Sequence, residues 1–251
     1  MLEVCEVSKR YHTTLAVDRV CLQAQPGRVL GLLGPNGAGK SSILRMITNI
    51  THPDTGEVLL DGQRVTRETQ ANIGYMPEER GLYRQMRVLD QLVYLGQLKG
   101  LTVADARERA RHWLQRLDAE DFADKRPRDL SRGMQQKVQF ALTLISHPRV
   151  LILDEPFSGL DPLNAELMEA VIRERCEAGD IILFASHLME RVERLCDDIC
   201  LIAKGQVLIH DELQAIRAAH GAGLREIFIE QVLTLNPHLF MGQDTSAEAR
   251  L

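Results

Sequence analysis

Residues 29–41 read Val29-Leu30-Gly31-Leu32-Leu33-Gly34-Pro35-Asn36-Gly37-Ala38-Gly39-Lys40-Ser41. The first five are apolar throughout, as expected of a strand buried on both faces. The next eight match G-x-x-x-x-G-K-[ST] at every fixed position, and a helical pattern follows from Lys40 to about Ile50. A strand, a glycine-rich turn and a helix in that order specify a phosphate loop. The glycines let backbone N–H groups curl toward phosphate oxygens without a Cβ in the way. The helix N-terminus adds a partial positive charge. The expected phosphate-binding set is Gly34, Pro35, Asn36, Gly37, Ala38, Gly39, Lys40, Ser41 and Ser42. In it, Lys40 reaches the outer phosphates and Ser41 offers a hydroxyl to Mg²⁺.

A second apolar run, Val150-Leu151-Ile152-Leu153, ends in Asp154-Glu155. Carboxylates at the C-terminal end of a buried strand lie where open α/β sheets bind ligands. Neighbouring strand residues point opposite ways, so the two acids have distinct tasks. Asp154 suits the Mg²⁺ shell, and Glu155 suits orienting or deprotonating an attacking water.

Further strands are expected at Leu2 to Val7, Val17 to Gln25, Glu57 to Leu60, Ile181 to Ala185 and Ile199 to Ala203, with a helix at Pro162 to Cys176. This alternation predicts a mostly parallel sheet wrapped by helices, with an N-terminal antiparallel β portion. From about 79 to 148 the pattern is helical only. Val88, Leu89, Leu92, Val93 and Leu95 recur at helical spacing. So do Ala106, Ala110, Trp113, Leu114 and Leu117, with Thr102 as N-cap, and a third helix is expected over Gln136 to Ile145. We read this stretch as a helical subdomain inserted in an α/β core that spans residues 1–212. Residues 213–251 form a short C-terminal extension: two short helices around Gly221-Ala222-Gly223, then a polar tail from Asn236.

Composition narrows the function classes. The net charge is -5 in 251 residues, so there is no overall basic footprint and no nucleic-acid partner is expected. Residues 79–149 carry 14 Lys and Arg against 9 Asp and Glu, a local +5 that reads as a solvated face. No apolar run approaches the length of a membrane span, and the first residues lack a signal-peptide pattern. The expectation is a cytoplasmic chain that meets a membrane only through a partner. Five scattered cysteines, with no CxxC pairing, read as small apolar side chains in a reducing compartment.

The remaining motifs resemble the ABC ATPase family, the nucleotide-binding subunits of ATP-binding cassette transporters. Leu130-Ser131-Arg132-Gly133-Met134 stands where that family has its LSGGQ signature. Ser158-Gly159-Leu160-Asp161 matches the D-loop, and His187 follows a strand as the family's switch histidine does. The resemblance covers about residues 1–212. It implies ATP hydrolysis with Mg²⁺ and Tyr11 stacked on adenine. It also implies a head-to-tail dimer, most simply of identical chains, in which Ser131, Gly133 and Asp161 of one subunit meet ATP held by the other, and His187 at the γ-phosphate. A separate integral membrane permease would then be the transport partner, holding the chain at the cytoplasmic membrane face. The segment Leu224-Arg225-Glu226-Ile227-Phe228-Ile229-Glu230 and the stretch Gly81-Leu82-Tyr83 resemble the exporter branch.

Three positions depart from the family pattern. Arg132 and Met134 replace signature residues, while Ser131 and Gly133 remain. Glu78, in Gly74-Tyr75-Met76-Pro77-Glu78, stands where the family has glutamine. Phosphates, Asp154 and Glu155 already crowd the site with negative charge, so a further carboxylate is either directed at the metal or held away until closure, and Glu78 is expected in the Mg²⁺ shell of the closed state. Two alternatives fit less well. Soluble ABC proteins of DNA repair insert long coiled coils between phosphate loop and signature, and only about ninety residues separate Lys40 from Leu130 here. A small-molecule kinase would need neither signature nor D-loop.

Overall fold

The computed structural model describes residues 1–79 and 81–235; the expected polar tail from Asn236 lies outside them. The elements run β1 (Leu2–Tyr11), β2 (Thr14–Ala24), β3 (Val29–Leu33), α1 (Lys40–Ile47), β4 (Thr55–Leu60), β5 (Gln63–Arg64) and β6 (Ile73–Met76). Then follow α2 (Val88–Leu98), α3 (Val103–Arg116), α4 (Arg132–Leu144), β7 (Val150–Asp154), α5 (Pro162–Glu177) and β8 (Ile181–Ala185). The described chain closes with α6 (Met189–Leu195), β9 (Asp198–Ala203), β10 (Gln206–Glu212), α7 (Leu213–His220) and α8 (Leu224–Leu235).

Two sheets form. The first is antiparallel, in the order β2-β1-β4-β5; the second runs β10-β9-β3-β8-β7-β6 and is parallel except for the antiparallel β10. Alternation along the buried strands decides which layer each side chain joins. Leu30, Leu32, Val150, Ile152 and Leu183 face α1 and the antiparallel sheet. Val29, Leu33, Leu151, Leu153, Ile182 and Phe184 face a helical layer built from α2, α3, α4, α5, α6 and α8. Aromatic residues are only 4% of the chain, and the cores are made mainly of Leu, Ile and Val.

Trp113, the chain's one tryptophan, illustrates the helical layer. It is 2% exposed on α3, with the rings of His112 and His147 at 5.1 and 5.9 Å. The Thr102 hydroxyl caps α3 by accepting from the Asp105 N–H at 3.1 Å.

The structure corrects several boundaries. β6 and β10 stand where no strand was expected. α4 begins at Arg132, four residues before the expected Gln136, because Ser131 acts as its N-cap and accepts from Met134 N–H at 3.3 Å. The C-terminal extension is packed into the main core, with Leu224 and Ile227 buried.

Candidate active site

The parallel strands β3, β6, β7 and β8 end on one edge of the sheet, and four loops leave there together. They carry the phosphate loop, Glu78, the pair Asp154-Glu155, and Ser186-His187. All of these except Ser186 line one cavity of about 730 Å³ with Gly34 to Ser42. The glycines are there for space. A Cβ on Gly34 would sit 2.2 Å from the Ile202 carbonyl oxygen, and Gly39 holds φ +106 with the Ala16 oxygen 2.5 Å from any Cβ.

Lys40 folds back over the loop, donating to the Gly34 carbonyl at 2.6 Å and to Pro35 at 3.2 Å. Burial lowers its pKa, against the opposing pull of Asp154, Glu155 and Glu78. Burial likewise pushes Asp154 up to about 6, and Glu78 and Glu155 add to the shift while Lys40 and Arg45 oppose it. Glu155 sits at φ +50, a left-handed conformation uncommon outside glycine. Its Oε1 accepts from the His187 N–H at 2.8 Å and lies 2.6 Å from His187 Nδ1; its Oε2 accepts from Ser186 Oγ at 3.0 Å. A carboxylate beside Nδ1 favours the tautomer that donates from that nitrogen, leaving Nε2 on the far side of the ring.

Ser131, Gly133 and Asp161 line a second cavity of about 550 Å³, which shares no lining residue with the first. Asp161 caps α5, accepting from Asn164 N–H at 3.0 Å, and the D-loop abuts the signature closely enough that a Cβ on Gly133 would meet the Gly159 oxygen at 2.9 Å. Tyr11 lies outside both linings, at the β1–β2 turn where it pairs with Thr14. Ala16, Met189 and Phe228 line the first cavity and were not anticipated. Ser186 had a local signal, lying next to His187 after a buried strand. Phe228 had none, because only the docking of α8 brings it there.

A family model described as "ABC transporter" matches residues 17–158. The chain belongs to that family. A relative from Bacillus subtilis (strain 168), "Uncharacterized ABC transporter ATP-binding protein YhaQ", is 42% identical over 221 residues, covering 88% of this chain and 74% of the relative. The "Nod factor export ATP-binding protein I" of Burkholderia thailandensis is 38% identical over 204 residues, covering 80% and 67%. Among solved structures, "Structure of ATP binding subunit of ABC transporter" matches with a TM-score of 0.86 at 30% identity, covering 92% of this chain and 99% of that one. The fold is thus that of the P-loop ATPase cassette, and the chain is an ATP-binding ABC ATPase whose chemistry is ATP hydrolysis.

No helix among the described residues is long and apolar enough to cross a membrane.

Proposed function

We propose that this chain is the ATPase subunit of an export system, acting as a head-to-tail dimer with two ATP molecules between the subunits and a separate membrane permease as partner. One observation carries the dimer: Ser131, Gly133 and Asp161 lie in a cavity apart from the chain's own phosphate loop. A second copy, turned head to tail, brings its signature over that loop. Similarity to the Nod factor export relative supports export.

Within each composite site, the phosphate-loop N–H groups and Lys40 hold the phosphates. Glu155 accepts the proton of the attacking water, and His187 donates to the γ-phosphate from Nε2 once its ring proton sits there rather than on Nδ1. Glu155 must first release the N–H and Nδ1 of His187, so nucleotide closure and activation of the base are linked. Tyr11 stacks on the adenine. A divalent cation fits the donor set: three carboxylates surround one lysine, and burial already penalises the charge on Asp154. No group of three or more His, Cys, Asp or Glu among the described residues is arranged to hold a metal alone. That suits Mg²⁺, which takes one or two protein ligands and completes its shell with phosphate oxygens and water. Ser41, Asp154 and Glu78 would hold it, and when bound it would neutralise charge building on the phosphates.

Mixing two inactive variants tests the composite site. Ser131→Arg should leave ATP binding by the single chain intact and abolish hydrolysis; Lys40→Ala should weaken binding itself. A mixed dimer has one site free of both changes, so combining the variants should restore part of the activity. Full activity in Ser131→Arg alone, or no restoration where mixed dimers demonstrably form, removes the two-copy site.

A further inference from the structure

The buried face of α4 carries two amides that the reaction above leaves unused. Gln136 is 1% exposed and Gln139 3%, and three positions apart they share one side of the helix. Gln136 Nε2 donates to the Pro156 carbonyl at 2.9 Å and the Glu155 carbonyl at 3.2 Å. Gln139 Nε2 donates to the Pro77 carbonyl at 2.8 Å and reaches that of Glu79 at 3.5 Å. The first amide grips the main chain of Glu155; the second brackets Glu78.

Packing alone does not call for these groups. An amide inside an apolar layer is costly unless bonded, and Gln139 Oε1 has no partner among the described residues. What the two amides secure is the path of the main chain. Glu155 keeps φ +50, a conformation that persists only when its surroundings fix it. Gln136 fixes it from the carbonyl side while the Glu155 N–H donates to the Ala185 carbonyl at 2.9 Å.

We propose that Gln136 and Gln139 are positioning residues that tie the signature helix to the two carboxylate loops of the same chain. The proposal rests on the two-copy reading. Nucleotide held by one subunit touches the Ser131 end of the other subunit's α4. Gln136 lies five residues further along, about 7.5 Å at helical rise, so a shift of that rod moves Glu155 and Glu78 in the second subunit's own cavity. Occupancy of one site thereby sets the base and the acidic loop of the other, and the sites respond to ATP as a coupled pair.

The test replaces each glutamine by a donor-free side chain of similar length, Gln136→Met and Gln139→Met. ATP hydrolysis is measured across ATP concentration, and binding of a fluorescent ATP analogue is measured on the same proteins. The wild type should show a Hill coefficient above 1. The variants should bind the analogue within about twofold of wild type, lose roughly tenfold in kcat, and fall to a Hill coefficient near 1, in the range of allosteric couplings. A merely structural role would lower the melting temperature and the active fraction but leave the Hill coefficient unchanged. If Gln136→Met does not fold, Gln139→Met decides, since its amide is already half unbonded. Folded Met variants that keep both kcat and cooperativity overturn the proposal, as does a wild-type dimer with a Hill coefficient of 1. A wild type that stays monomeric with ATP and is not cooperative removes the two-copy reading itself, and the proposal with it.

Discussion

Asp154 is held in its ionised form at a cost. Its pKa, pushed up to about 6 by burial first and by Glu78 and Glu155 next, lies above that of an unfolded-chain aspartate, about 3.9. A raised folded-state pKa gives stability that is present below about pH 4 and lost as pH climbs through about 6. The loss at neutral pH is at most about 3 kcal/mol. Asp154→Asn should therefore stabilise the nucleotide-free protein by on the order of 1–3 kcal/mol at pH 7.5, several degrees in melting temperature, and should narrow its advantage toward pH 4. Thermal melts at the two pH values check this; equal shifts at both would mean that the carboxylate ionises freely. Glu155→Gln has a different signature. The amide cannot take a proton, so ATP should still bind while turnover falls ~10²–10⁴-fold, measurable as phosphate release. The residues of the phosphate loop, Asp154 and Glu155 were legible because their chemistry demands particular side chains in one contiguous stretch. Gln136, Phe228 and Met189 were not, since each meets the site only through packing between elements distant in sequence.

Elements were legible where periodicity and capping agreed. The limits of β3 and β8 match their apolar runs, buried at every position. The α3 cap was expected at Thr102 and is there, with the hydroxyl also donating to Asp105 Oδ2 at 2.7 Å. Thr102→Ala should cost about 1 kcal/mol, a fall of a few degrees in melting temperature, with ATP turnover unchanged; loss of turnover would mean that α3 influences the site. β6 was missed because it has four residues, pairs only with β7 and contains Gly74. That glycine looks like a breaker, yet a Cβ there would lie 2.6 Å from the Thr143 oxygen, so it permits close approach of α4. β10 has an apolar run of only three half-buried residues, Val207-Leu208-Ile209, because it is an edge strand exposed at its other positions. The glycine in the first turn of α4 hid that helix's true start in the same way.

For the assembled molecule, the permease proposed as partner would meet the exposed ring of Tyr83 and the half-buried Met86 and Leu89. Tyr83 is 51% exposed, set edge-on to Tyr94 with ring centres 6.4 Å apart. Its N–H donates to Gln91 Oε1 at 2.7 Å, which anchors the loop through main chain rather than through the ring. Tyr83→Asp should then leave ATPase activity of the isolated subunit near wild type and lower co-purification with the permease. A joint fall in both would place the ring in the fold's support instead. Sequence pattern marks this region as helical and basic and offers Tyr83, Met86 and Leu89 as a surface; Tyr83 and Met86 lie in the loop before α2, which Gln91 anchors.

The lone tryptophan gives the helical layer an optical label that the rest of the chain lacks. Trp113 emission reports on α3 and its neighbours, whereas far-ultraviolet circular dichroism averages over every element. Denaturant curves from the two signals superimpose only if both layers melt as one cooperative unit. The neighbouring imidazole of His147 adds a second use. Burial, with Arg109 and Arg175 nearby, lowers its pKa from the ordinary imidazole range, which disfavours the protonated ring that would quench the indole. The ring of His112 is nearer still at 5.1 Å, so intensity reports movement of the subdomain when it is compared at one fixed pH with and without nucleotide.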